Sequence, residues 1–235
     1  MKPNPESESM SFFDELQQRT TGARAELFAI PVIRECLAGH VTRDQYLAFL
    51  AQAYHHVRHT VPLLMACGSR VPEAHAWLRT AIAEYIAEEA GHEEWILNDI
   101  AASGGNPDTV RTSAPAPATE LMLAYVYDYI ARHNPVGFFG MVHVLEGTST
   151  ALATTAAQSI RNGLGLPPEA FTYLTSHGAL DQEHVRFFAG LMDRLEDPAD
   201  QAAVTHVATM VFRLYGDIFR ALPRFDAPAH TWKAA

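Results

Sequence analysis

The chain of 235 residues suits one ordinary domain, and at 48% hydrophobic and 19% charged it can bury a large core, which excludes global disorder. Its formal net charge is -10, and both lysines, Lys2 and Lys233, lie near the ends, so the basic footprint of a nucleic-acid binder is missing. No run of about 18 apolar residues offers a membrane span, the opening MKPNPESESM does not read as a signal peptide, and Cys36 and Cys67 make no disulfide framework, so a cytoplasmic setting is expected.

Apolar residues recur at helical spacing almost throughout, with little β-branched alternation. A first helix is predicted from about Phe12 to Phe28, and Pro31 opens a short second one ending near Gly39. Thr42 is a natural N-cap for a helix reaching about Cys67, with Pro62 inside it as a kink. Pro72 opens a long helix to about Ala102, where SGGNPD stops it, and the segment Thr109 to Ala118 reads as loop. Helices follow from about Thr119 to Arg132, Pro135 to Asn162, Pro167 to Leu195 and Pro198 to Ala221. No internal repeat or long linker divides the chain. The expectation is an all-α bundle of seven or so helices, one domain over residues 11–223 between tails at 1–10 and 224–235.

Twelve histidines are many for this length, and several stand beside carboxylates. In EYIAEEAGHEEW, Glu89 and His92 are three apart and Glu88 and His92 four apart, so either acid can share a helix face with the imidazole. Glu84, Glu93 and Glu94 read as a solvated face. In MVHVLEGTSTAL, Glu146 sits among apolar and small residues, where an isolated buried carboxylate would cost several kcal/mol without a cation or a proton. His143, three residues earlier, reads as a core histidine. In SHGALDQEH, His177, Asp181 and His184 share one helix face. Three imidazoles and three carboxylates are about the donor set that a pair of iron or manganese ions takes, whereas structural zinc prefers cysteine and four ligands.

EEAGHEEW, VHVLEGTS and SHGALDQEHVRFF together resemble the heme-oxygenase-like diiron oxidases and oxygenases, over roughly Phe12 to Leu222. The resemblance implies the seven-helix heme-oxygenase-like bundle shared with thiaminase II and pyrroloquinoline-quinone synthase. It also implies His92, Glu146, His177, Asp181 and His184 as ligands of two Fe(II) ions, with dioxygen as co-substrate. For the sixth ligand, some members use a Glu on the preceding helix and others one seven residues ahead of the His92 position. Here position 85 is tyrosine and the preceding helix offers YHHVRH, so Glu89 is the choice and Glu88 the second, with His55, His56 or His59 completing or gating the site.

Departures also inform. The nucleophilic cysteine of thiaminase II, the proximal histidine of heme oxygenase and the internal lysine of a self-sacrificing route have no counterpart. The implied activity is oxidation of a small amino-acid-like or fatty-acid substrate by fragmentation, desaturation or N-oxygenation, with an external electron donor and a homodimeric assembly. Tyr54, Tyr125, Phe138, Phe139 and Phe187 are candidate pocket walls, and Arg58 and Arg186 candidate holders of a substrate carboxylate. The alternatives are a metal-independent enzyme on the same fold, with His92, Glu146 and His177 as acid–base groups, and a helical interaction protein.

Overall fold

The computed structural model describes residues 10–224, the side chains of residues 177–184 excepted. The expected tails fall almost wholly outside this range. The described residues form α1 (Phe12–Arg19), α2 (Thr21–Phe28), α3 (Pro31–Leu37), α4 (Arg43–Val57), α5 (Thr60–Gly68), α6 (Ala76–Glu89), α7 (His92–Ala102), α8 (Pro107–Thr112), α9 (Pro117–Arg132), α10 (Phe139–Leu164), α11 (Thr172–Met192) and α12 (Pro198–Arg220). Short 3-10 turns occupy Glu73–His75, Pro135–Phe138 and Pro168–Phe171, and no strand forms among the described residues.

The segments outnumber the expected helices because three of those are interrupted and one was unforeseen. The first breaks at Thr20, whose hydroxyl donates to the Leu16 carbonyl at 2.7 Å. Thr42 caps α4 as expected and forms a full capping box with Gln45. That helix then stops at Val57 instead of kinking at Pro62. The proline ring would meet the carbonyl four residues back, at Arg58, so the chain restarts at Thr60 with Pro62 in its first turn. The expected helix to Ala102 breaks at Gly91, which adopts φ +93°. Part of the expected loop is the helix α8: Asn106 accepts from the backbone N–H of Asp108 at 2.9 Å, and Pro107 opens the turn behind it. Read as a stop, Asn-Pro is here a start.

α10 packs along both α11 and α12, and these three long helices form the spine. Buried side chains make two clusters. One includes Leu16, Leu63, Leu78, Val126, Phe139 and Val207, the other Tyr46, Leu50, Ile96, Ile160 and Phe171. Each fully buried leucine or isoleucine contributes roughly 1.5–3 kcal/mol of transfer free energy.

α11 takes its N-terminal cap from α7. Both oxygens of the fully buried Asp99 accept backbone N–H bonds, from Thr172 at 3.0 Å and Tyr173 at 2.8 Å. Burial pushes the Asp99 carboxyl up to about 6 although those two bonds pull it down. His143 is displaced the other way, to about 4, by burial first and by Arg24 second. The folded protein therefore holds the Asp99 proton more tightly than the unfolded chain, and this contribution to stability falls as pH rises from about 4 to about 6. For His143 the unfolded chain takes the proton first, so its contribution rises with pH from about 4 to 6.5. Asp99→Asn removes the falling contribution and leaves the rising one. Its urea midpoint is expected to climb more steeply than that of the wild type between these pH values, and equal slopes would contradict the assignment.

Candidate active site

Tyr85 and Glu89 stand one helical turn apart at the end of α6 and face the same cavity. Across from them, α10 presents Val142, Leu145, Glu146 and Ser149 at the spacing of a single helix face. His56 and Val57 of α4, Leu63 and Leu64 of α5, Phe138, Tyr173 of α11 and Tyr215 of α12 close the remaining walls. The cavity measures about 100 Å³ and lies at the seam of the two hydrophobic clusters. Among the described residues, its lining contains two carboxylates and no lysine or arginine.

The Gly91 break changes how Glu89 meets His92. They do not share a continuous helix face as the spacing suggested. His92 opens α7, and its Nδ1 lies 3.1 Å from Glu89 Oε2 across the break. The imidazole is buried and stacks on Trp95, with ring centroids 4.0 Å apart. Glu88 is exposed and lines no part of the cavity, as are Glu84 and Glu94, the last held by a two-bond pair with Arg111.

Tyr85 is buried beside Glu146. Burial, and then the Glu146 charge, hold its phenol well above the usual range, so it keeps its proton. Burial likewise holds Tyr215 and Tyr173 above their ordinary values, and Glu89 adds to the effect on Tyr173. His56 is buried and meets the Tyr215 ring edge-on at 5.8 Å.

The other sequence candidates lie elsewhere. His55 bonds Ser113 Oγ at 3.0 Å and His59 bonds the Tyr127 hydroxyl at 3.0 Å, both away from the cavity; burial first, and Arg58 second, lower their pKa values. His143 contacts Thr20 Oγ1 at 3.1 Å and stacks on Phe188, a core histidine. Phe138 lines the cavity, whereas Tyr54 and Phe139 are buried without reaching it. Tyr125 packs on Tyr129, and Phe187 packs on Tyr85 with centroids 5.4 Å apart. Arg58 and Arg186 are exposed, and neither lines the cavity; Arg58 lies over the Tyr54 ring at 5.5 Å. His177, Asp181 and His184 belong to α11, but their side chains lie outside the described residues. Sequence reasoning passed over Tyr85, Ser149, Tyr173 and Tyr215. The first two were within reach, being four residues before Glu89 and three after Glu146; Tyr215 had no local signal.

Among the described residues, no three His, Cys, Asp or Glu side chains are near enough to share a metal ion. Among the described residues, the donors that line the cavity are the Glu89 and Glu146 carboxylates and the His56 imidazole, while His92 meets the site through its bond to Glu89 and does not itself line the cavity; hard oxygen and borderline nitrogen are the kinds that suit iron.

This architecture is the heme-oxygenase-like bundle. It matches a domain of unknown function with a heme oxygenase-like fold from Shewanella denitrificans, with TM-score 0.82, 25% identity and coverage of 91% of this chain and 92% of that one. A TenA homolog from Pseudomonas syringae pv. tomato aligns with TM-score 0.74 at 11% identity over 94% and 96% of the two chains. The heme-bound heme oxygenase-1 of the cyanobacterium Synechocystis aligns with TM-score 0.72 at 12% identity over 91% and 92%. These last two share the fold alone. No curated protein matches the sequence. Residues 47–216 match the model of the family described as iron-containing redox enzyme, and the chain belongs to that family. Among the described residues no helix is long and apolar enough to cross a membrane.

Proposed function

We propose that the protein is a non-heme diiron oxidase or oxygenase that uses dioxygen to oxidise a small amino-acid-like or fatty-acid substrate. One observation carries the reading: Glu89 and Glu146, from different helices, line the same small cavity, with His92 bonded to Glu89. Glu89, His92 and Glu146 would hold the metal together with His177, Asp181 and His184 of α11. Bound iron supplies the redox chemistry toward dioxygen, and an external donor supplies electrons.

The chain's own groups do the rest. The carboxylate at His92 Nδ1 favours the tautomer with the proton on that atom, which leaves Nε2 as the ligand nitrogen. A ligand bond from Glu89 would then use Oε1. Tyr85 keeps its phenolic proton beside Glu146 and so serves as a hydrogen-bond donor at the cavity wall. Leu63, Leu64, Phe138, Met141 and Leu145 keep bulk water out.

The test is anaerobic Fe(II) titration of the protein, followed by mixing with oxygenated buffer while the visible spectrum is recorded. Two equivalents bound and a transient charge-transfer band are the expected results. Asp181→Ala should lose at least one equivalent while keeping its helical circular dichroism. No iron uptake by the wild type would overturn the proposal.

A further inference from the structure

α7 holds a partner at two points along its length. Its first residue, His92, is bonded to Glu89 at 3.1 Å. Asp99, seven residues on and fully buried, accepts the backbone N–H groups of Thr172 at 3.0 Å and Tyr173 at 2.8 Å. Residues seven apart share a helix face, here about 10 Å apart along the axis. One face of α7 therefore grips both the end of α6 that carries Glu89 and the start of α11 that carries Tyr173, and Glu89 and Tyr173 line the same cavity.

The cap on α11 comes from a distant part of the chain. A helix start is ordinarily satisfied by the side chain at its own N-cap position. That position is Phe171, which makes no such bond; its ring is buried and stacks on Tyr46 with centroids 5.4 Å apart. The Tyr46 hydroxyl in turn donates to the Ala170 carbonyl at 2.7 Å. The turn into α11 is thus pinned from α4 at Ala170 and from α7 at Thr172 and Tyr173. A helix held at two successive amides by one carboxylate can neither rotate about its axis nor slide along it without losing a charge-assisted bond. Burial first, and then Tyr215, Glu89, Tyr46 and Asp99 in turn, hold the Tyr173 phenol well above its ordinary range, so the ring lies in the field of both carboxylates and keeps its proton.

We propose that Asp99 is a positioning residue of the site: by holding the Thr172 and Tyr173 amides it sets where Tyr173 stands in the cavity wall and the rotation at which α11 approaches Glu89 and Glu146. The inference rests on the proposed function for its consequence on iron, whereas the placing of Tyr173 involves no metal. Asparagine at 99 keeps the size of the side chain but turns one acceptor into an NH2 group that faces a backbone N–H, so the start of α11 is released from α7. Groups that orient metal ligands from outside the ligand set are commonly worth 10–100-fold in metal affinity. Coupling of this kind is reciprocal, so bound metal must tighten the cap by the same factor.

The experiment uses the full chain and compares Asp99→Asn with Ile130→Ala, which removes buried bulk from α9 at a residue that does not line the cavity. It is run above the value of about 6 to which burial raises the Asp99 carboxyl, so that the wild type carries the charge. In metal-free protein with isotope-labelled tyrosine, the NMR signal of Tyr173, assigned with Tyr173→Phe, should move and broaden in Asp99→Asn and stay in place in Ile130→Ala. Anaerobic titration should show Fe(II) bound about tenfold or more weakly in Asp99→Asn and as in the wild type in Ile130→Ala. In the wild type, hydrogen exchange at Thr172 and Tyr173, read by mass spectrometry, should slow by that same factor when Fe(II) is added. A Tyr173 signal that Asp99→Asn does not move overturns the proposal, and so does wild-type Fe(II) affinity in that variant. Equal losses in Asp99→Asn and Ile130→Ala also overturn it, because they make Asp99 a general stabiliser. A moved Tyr173 signal in a protein whose wild type takes up no iron would sink the diiron reading alone and leave Tyr173 placed by Asp99.

Discussion

Replacing Glu146 by glutamine is expected to weaken binding of at least one Fe(II) by about 100-fold or more while leaving the helical circular dichroism unchanged. Substitution of groups that merely orient metal ligands commonly costs 10–100-fold, and a lost ligand oxygen should cost at least as much. Glutamine keeps the size of the side chain and so the packing of α10 between α11 and α12. It removes the charge that, with Glu89, makes this cavity acidic. Calorimetric titration of wild type and variant under anaerobic conditions separates the outcomes. Two full equivalents bound to the variant with unaltered affinity would remove Glu146 from the ligand set. Glu88→Gln is the internal control, since Glu88 is exposed and lines no part of the cavity, and its iron uptake should match the wild type.

Gly140→Ala is expected to destabilise the fold by about 3 kcal/mol, the upper part of the range for overpacking. A Cβ built on Gly140 would stand 2.4 Å from the Val204 carbonyl oxygen and 2.5 Å from the Ala208 nitrogen, both backbone atoms of α12. Backbone cannot swing aside as a long side chain can, so α10 and α12 would have to separate. In a domain of this size the melting temperature should fall by roughly 6–12 °C. Gly147, two turns further along α10, has nothing within 4 Å of such a Cβ and no positive φ. Gly147→Ala should instead stabilise the helix by about 0.5–1 kcal/mol. Thermal unfolding followed by circular dichroism reads both, and a Gly140→Ala melting point equal to the wild type would contradict the close approach of the two helices.

The sequence alone determined the all-helical class, the N-cap at Thr42 and the prolines that start helices, because these signals lie within a few residues of one another. It also marked Glu89, His92 and Glu146, since a carboxylate or imidazole in an apolar helical run is conspicuous without any partner in view. It misjudged continuity at Gly91 and at Arg58–His59. Whether a glycine takes a positive φ, or a proline interrupts rather than kinks, depends on what the flanking segments gain by packing in different directions. Tertiary structure alone decided that Glu89 rather than Glu88 reaches the cavity, that Arg58 and Arg186 stay at the surface, and that Tyr85, Tyr173 and Tyr215 line the walls. It alone brought Asp99 to the start of α11. Helical periodicity fixes which residues share a face, but which faces meet is set by where helices cross, and here one crossing is fixed by the backbone contact at Gly140.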